Sequence, residues 1–182
     1  MPRIAAITTV LIGIAFGTGC VTKHTSSSPE VTLGLSYQEF DQTHHSGWRV
    51  LGEDEKQYRK AAELIEMYLD RHPELTRFQR AILRWHAGQM LAYAGDTAGA
   101  LKHMSSVHFE PEQPNSATRL SAPGWNDYVE ATVAFLQGDR GKLLAARERI
   151  AGNSPADPNL RVLDCLIAHF GAPYATAYEA KR

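Results

Sequence analysis

Two cysteines, eight histidines and twenty acidic residues are the side chains of this 182-residue chain with the widest chemical reach. A reactive thiol wants basic neighbours and exposure. Cys165 sits instead in Leu160-Arg-Val-Leu-Asp-Cys-Leu-Ile-Ala-His-Phe170, on an apolar pattern and beside Asp164, and reads as a buried structural thiol. His44 and His45 are adjacent, which points them apart in regular structure. His86, His103 and His108 lack the i, i+4 spacing that sets two imidazoles on one helical face, and no His-Glu-x-x-His occurs. A zinc site would have to be assembled by the fold. There is no Gly-x-Ser-x-Gly elbow, no Walker-type phosphate loop and no dinucleotide fingerprint. Glu53-Asp54-Glu55 stands at a predicted helix start, where negative charge meets the positive end of the dipole. The expectation is no catalytic residue, no metal ligand and no cofactor.

Cys20 is a different case. It ends an apolar segment, Ile4 to Phe16, through Gly17, Thr18 and Gly19, and a Ser-rich stretch follows. The segment is too short to span roughly 30 Å of hydrocarbon as a helix. This is the layout of a bacterial secretory signal over residues 1–19, and the cysteine at its end resembles a lipoprotein signal with a lipobox. The resemblance implies acyl chains, such as palmitate, on Cys20 and anchoring at a membrane. The family pattern has Leu three residues before the cysteine, where this chain has Gly17. Small residues at Gly17 and Gly19 also suit ordinary signal peptidase, which would leave Cys20 free. Val21 stands where an aspartate would mark inner-membrane retention, so the resemblance favours the periplasmic face of an outer membrane in a Gram-negative cell.

Lys and Arg number 19 against 20 Asp and Glu, a formal net charge of −1. No basic run or stripe stands out, so nucleic acid is not an expected partner. Residues 20–36, with Thr22, Thr25, Ser26, Ser27, Ser28 and Pro29, read as a flexible tether. Residues 37–182 suffice for one domain that buries roughly two-thirds of its unfolded surface.

The elements that must position these side chains are helices. Ala, Leu, Glu, Arg and Gln are plentiful, and no alternating β-branched run appears. Glu55 to Arg71 carries an apolar stripe, and His72-Pro73 ends it. Thr76 is placed to cap a helix running to about Ala94, and Gly95-Asp96 turns the chain into the next. Glu110 to Pro123 reads as a proline-rich loop. Asn126 to Leu136 and Arg140 to Ile150 form a second pair around Gly138-Asp139. A helix from Leu160 to Phe170 and a short one after Pro173 close the chain.

The stretch Trp85-His-Ala-Gly-Gln-Met-Leu-Ala-Tyr-Ala-Gly-Asp-Thr-Ala-Gly-Ala100-Leu resembles a tetratricopeptide repeat: two antiparallel helices with small residues where they cross. Gly88 falls at the close-contact position, Gly95 at the turn and Ala100 at the contact of the second helix. Gly138-Asp139 repeats the turn 43 residues after Gly95-Asp96, with Ala131 in the place of Gly88 and Leu143 in that of Ala100. Ala61 and Pro73 fit an earlier unit whose first helix, around Trp48, lacks the pattern. The resemblance covers residues 45–150 and implies an all-α, short stack of helical hairpins with extra C-terminal helices. It also implies a concave groove for a peptide, faced by Trp85, Gln89 and Tyr93 from one unit and Trp125, Tyr128, Thr132 and Phe135 from the next. The same rings serve equally as inter-helix core. Phe40-Asp-Gln-Thr-His-His-Ser-Gly-Trp-Arg49 lies outside the repeat and reads either as an N-terminal cap or as a recognition loop.

The reading is a lipid-anchored, non-enzymatic scaffold or assembly factor of the cell envelope that holds another protein or peptide. The resemblance points to pilotin-like lipoproteins or to accessory lipoproteins of outer-membrane protein assembly. The alternatives are a small envelope hydrolase or its accessory subunit, a lipoprotein that binds a metal or small ligand, and a plain spacer.

Overall fold

The computed structural model describes residues 29–108 and 122–180. The segment read as a signal, Cys20, the first part of the stretch read as a tether and most of the loop expected between Glu110 and Pro123 lie outside these residues. The described part is all-α. Its helices are α1 (Pro29–Leu33), α2 (Tyr58–Arg71), α3 (Arg77–Tyr93), α4 (Thr97–Met104), α5 (Ala122–Gln137), α6 (Arg140–Asn153), α7 (Asn159–Ala168) and α8 (Tyr174–Glu179). Two π-helical segments, Gln38–Gln42 and Val50–Asp54, stand between α1 and α2. No described helix is long and apolar enough to cross a membrane.

Local chemistry sets the boundaries. Thr76 and Gln79 form a reciprocal capping box at the start of α3, Gln79 N–H donating to Thr76 Oγ1 at 3.2 Å and Thr76 N–H to Gln79 Oε1 at 2.9 Å. Arg80 closes the end of α2 by donating to the carbonyls of Leu69 at 3.1 Å and His72 at 2.7 Å.

The two Gly-Asp turns are copies of one device. Gly95 and Gly138 adopt φ of +75° and +73°, a left-handed conformation that costs glycine no side-chain clash. The next N–H reaches back five residues, Asp96 to the Leu91 carbonyl and Asp139 to the Ala134 carbonyl, each at 2.8 Å. Each aspartate then caps the following helix, accepting from Gly99 N–H at 2.9 Å and Lys142 N–H at 3.0 Å. The results are the hairpins α3–α4 and α5–α6. In the first, a Cβ on Gly88 would lie 2.7 Å from Met104 Cγ and 3.2 Å from the Ala100 carbonyl, so glycine is what lets the helices cross so closely.

Helix α3 is the common wall of two cores. Leu83, Ala87 and Met90 join an N-terminal core with Leu33, Phe40, Trp48 and the buried face of α2. Ala81, Trp85 and Ala92 join a C-terminal core built from α4 to α8.

Three expectations are corrected. The tether ends earlier than residue 36: α1 is docked, with Thr32 and Leu33 buried, Glu30 paired with Arg71 at 2.7 Å, and Tyr68 Oη donating to the Leu35 carbonyl. Glu53 and Asp54 precede α2 by a turn and pair with Arg49 and His45 instead of facing a helix dipole. Helix α5 starts at Ala122, before the residues read as the end of the loop, because proline is accepted in a helix's first turn.

Candidate functional site

Six of the seven groove residues project from α3 and α5 into one aromatic assembly, and α8 covers it. The Trp85 ring meets Trp125 edge-on at 5.4 Å and Tyr128 at 5.3 Å. Tyr93 packs on Tyr174 at 5.5 Å and Tyr178 at 5.8 Å, and Phe135 on Tyr174 at 6.2 Å. Gln89 Nε2 stands at the edge of hydrogen-bond distance from Tyr178 Oη, 3.4 Å, and Tyr174 Oη, 3.5 Å. Trp125 Nε1 donates to the Val107 carbonyl at 3.0 Å. Thr132, the seventh, is fully buried and turns its hydroxyl back to the Tyr128 carbonyl at 3.0 Å.

Of the two readings of these rings, groove wall or inter-helix core, the packing is that of a core. Trp85, Tyr128, Thr132 and Phe135 are buried; Gln89, Tyr93 and Trp125 are half-buried. The physical reason is the C-terminal segment: Tyr174 and Ala177 of α8 are themselves buried in this core. Burial pushes the Tyr93, Tyr128 and Tyr174 hydroxyls well above the usual phenol range, with neighbouring tyrosines adding to it. They stay neutral and act as hydrogen-bonding groups.

What remains open is the rim. A cleft of about 410 Å³ lies where the turns of both hairpins meet the α7–α8 connection. Tyr93, Phe135, Leu136, Tyr174 and Ala175 supply its apolar walls, and Gly95, Gly138 and Gly171 its edges. Two of the seven residues, Tyr93 and Phe135, reach it.

Compared with known protein families, curated proteins and solved structures, the chain matches none of them.

A second assembly went unread in the sequence. Asp41, with no exposed surface, accepts from Trp48 Nε1 at 2.8 Å, from His86 at 2.7 Å and from Gln42 Nε2. Arg49 donates to the Asp41 carbonyl at 2.7 Å, pairs with Glu53 and lies 4.6 Å from the Trp48 ring centre. Burial alone would push the Asp41 carboxyl up. The charge and hydrogen bond of His86, the Trp48 indole and the charge of Arg49 outweigh it and bring the carboxyl down to about 2. A glycine is needed beside it: Gly47 has φ of +55°, and a Cβ there would overlap the Phe40 carbonyl oxygen.

The two ends of the stretch from Phe40 to Arg49 are packed, with Phe40, Asp41, Trp48 and Arg49 all buried. Between them Gln42, Thr43, His44 and His45 are exposed. Asp41 and His86 make a carboxylate–imidazole pair, but neither lines the cleft beside α8. They are 45 residues apart, and no spacing motif could have joined them. Of the other histidines, His44 pairs with Glu53, His45 with Asp54, His72 with Glu74 and His103 with Glu66. Among the described residues no group of three His, Cys, Asp or Glu side chains could hold a metal ion. Cys165 is buried and donates to the Ala180 carbonyl at 3.3 Å.

Proposed function

We propose that this chain is a lipid-anchored, non-enzymatic scaffold of the cell envelope, attached through Cys20, whose tetratricopeptide-like hairpins hold a short apolar segment of a partner protein. The observation that carries the reading is the cleft beside α8. It lies where the repeated Gly-Asp turns meet the α7–α8 connection, and Tyr93, Phe135 and Tyr174 line it. Aromatic rings offer large contact area at low entropic cost, which is why they anchor interfaces. The seven-residue groove is replaced in this proposal by the rim, because the rest of that surface is spent on folding.

The test has two parts. Replacing Cys20 with Ser is expected to move the chain from the membrane to the soluble fraction of broken cells; unchanged sedimentation overturns the anchor. A photo-reactive residue at Thr97, an exposed position on the cleft, is expected to capture the same envelope protein repeatedly. One at Met67, exposed on α2 and away from the cleft, is expected to capture none of it. Ala175→Glu, placed in the cleft wall, should abolish capture while the melting temperature stays near wild type. Equal capture at both positions, or capture indifferent to A175E, overturns the cleft as the binding surface.

A further inference from the structure

A second cleft, of about 300 Å³, opens on the opposite end of α3 and is lined by Arg77, Arg80, Ala81, Arg84, Ser106 and His108. We propose that it binds a phosphate group.

Three arginines on three successive turns of one helix break local rules. They are like charges at i, i+3 and i, i+4, which repel. They occupy the first half of α3, where the helix dipole disfavours positive charge, and α3 contains no acidic residue at all. A rule broken locally without local compensation is expected at sites where function supplies the compensation. Arg59, Arg71, Arg147 and Arg149 sit on carboxylates, whereas Arg140 and Arg161, exposed and far apart in the chain, have no carboxylate partner among the described residues; what sets α3 apart is that its arginines line one cleft. Arg77 and Arg84 are exposed and make no ion pair with any described residue.

The cleft is also partly preorganised. Arg80 is held by its bonds to the Leu69 and His72 carbonyls, which do not use its whole donor fork. Ser106 is fixed by its hydroxyl donating to the His103 carbonyl at 2.7 Å, and Ala81 forms an apolar floor. Among the described residues neither Asp nor Glu lines it. Guanidinium forks match the paired oxygens of a phosphate, and several of them lining one cleft suit the several oxygens of a phosphate group better than a single carboxylate. The phosphate could belong to a free phosphate monoester or to the headgroup of an anionic phospholipid, and the two are separable by experiment.

The full chain would be titrated calorimetrically with inorganic phosphate and, separately, with glycerophosphoglycerol, a soluble phospholipid headgroup. Saturable binding that weakens with added salt is expected on at least one arm. The R77Q/R84Q variant, changed only at exposed positions, is expected to bind about tenfold more weakly or worse. An R140Q/R161Q variant carries the same charge change elsewhere on the surface and is expected to bind as wild type. Binding of inorganic phosphate assigns the cleft to a free phosphate group; binding of the headgroup alone assigns it to lipid. No saturable binding on either arm, or equal weakening in both variants, overturns the proposal. This outcome is independent of the cleft beside α8, which shares none of these residues.

Discussion

On one face of α3, Leu83, Ala87 and Met90 close a core whose centre holds a fully buried carboxylate and, beside it, a buried guanidinium. On the other face, Trp85 and Ala92 close a core of rings and aliphatic side chains whose buried polar residue is Thr132. The N-terminal core is stitched by directional bonds. Asp41 must meet Trp48, His86 and Gln42 together, and Arg49 must reach both the Asp41 carbonyl and Glu53. A network of this kind specifies one arrangement and loses much of its value if any member is missing. The C-terminal core is held mainly by packed rings and aliphatic side chains, with single hydrogen bonds such as Trp125 to the Val107 carbonyl, and tolerates rearrangement among shapes of similar volume. A repeat-like pair of hairpins can be closed by ordinary packing, whereas an irregular end cap needs polar contacts to fix its path.

The sharpest way to break this contrast is Asp41→Ala. It removes the carboxylate that Trp48, His86 and Gln42 share, stranding an indole N–H and an imidazole, and a loss of about 3–5 kcal/mol is expected in urea unfolding. A loss below about 1 kcal/mol would show that the network is decorative.

Acid comes next. The Asp41 carboxyl lies at about 2 when folded, below its ordinary value of 3.8. The unfolded chain therefore binds more protons between those values, and stability falls as pH drops. The contribution is complete above about pH 4 and is lost as pH falls through about 2, amounting to about 2 kcal/mol. Urea midpoints measured down this range should fall less steeply in Asp41→Asn than in wild type. Parallel slopes would remove Asp41 from the account.

The smallest effect is expected on the other side of α3. Phe135→Leu keeps an apolar side chain against Phe170 and Tyr174 and should cost about 1 kcal/mol. A loss matching that of Asp41→Ala would show that the aromatic core is as exacting as the polar one.

The same contrast explains what was legible in the sequence. Thr76 with Gln79, and Gly-Asp at residues 95 and 138, are signals complete within a few residues, and the helices they bound were readable. Gly88 and Ala100 announced a close crossing by their size alone. The cover over the groove was not readable, because Tyr174 lies 85 residues beyond Gln89 and nothing in its own neighbourhood says where it docks. The polar core was opaque for the same reason. Asp41 and His86 look like surface residues until the fold brings them together, and the π-helical segments around Phe40 and Val50 carry no periodicity of their own.

The docking of α1 sets a distance. With Pro29 fixed against the domain, the chain from Cys20, the proposed anchor, to the folded body is nine residue steps. Fully stretched, that leash reaches roughly 30 Å. On the proposed anchoring, anything the domain holds lies no farther from the lipid surface than that leash plus the width of the domain itself, and a partner beyond that shell is out of range.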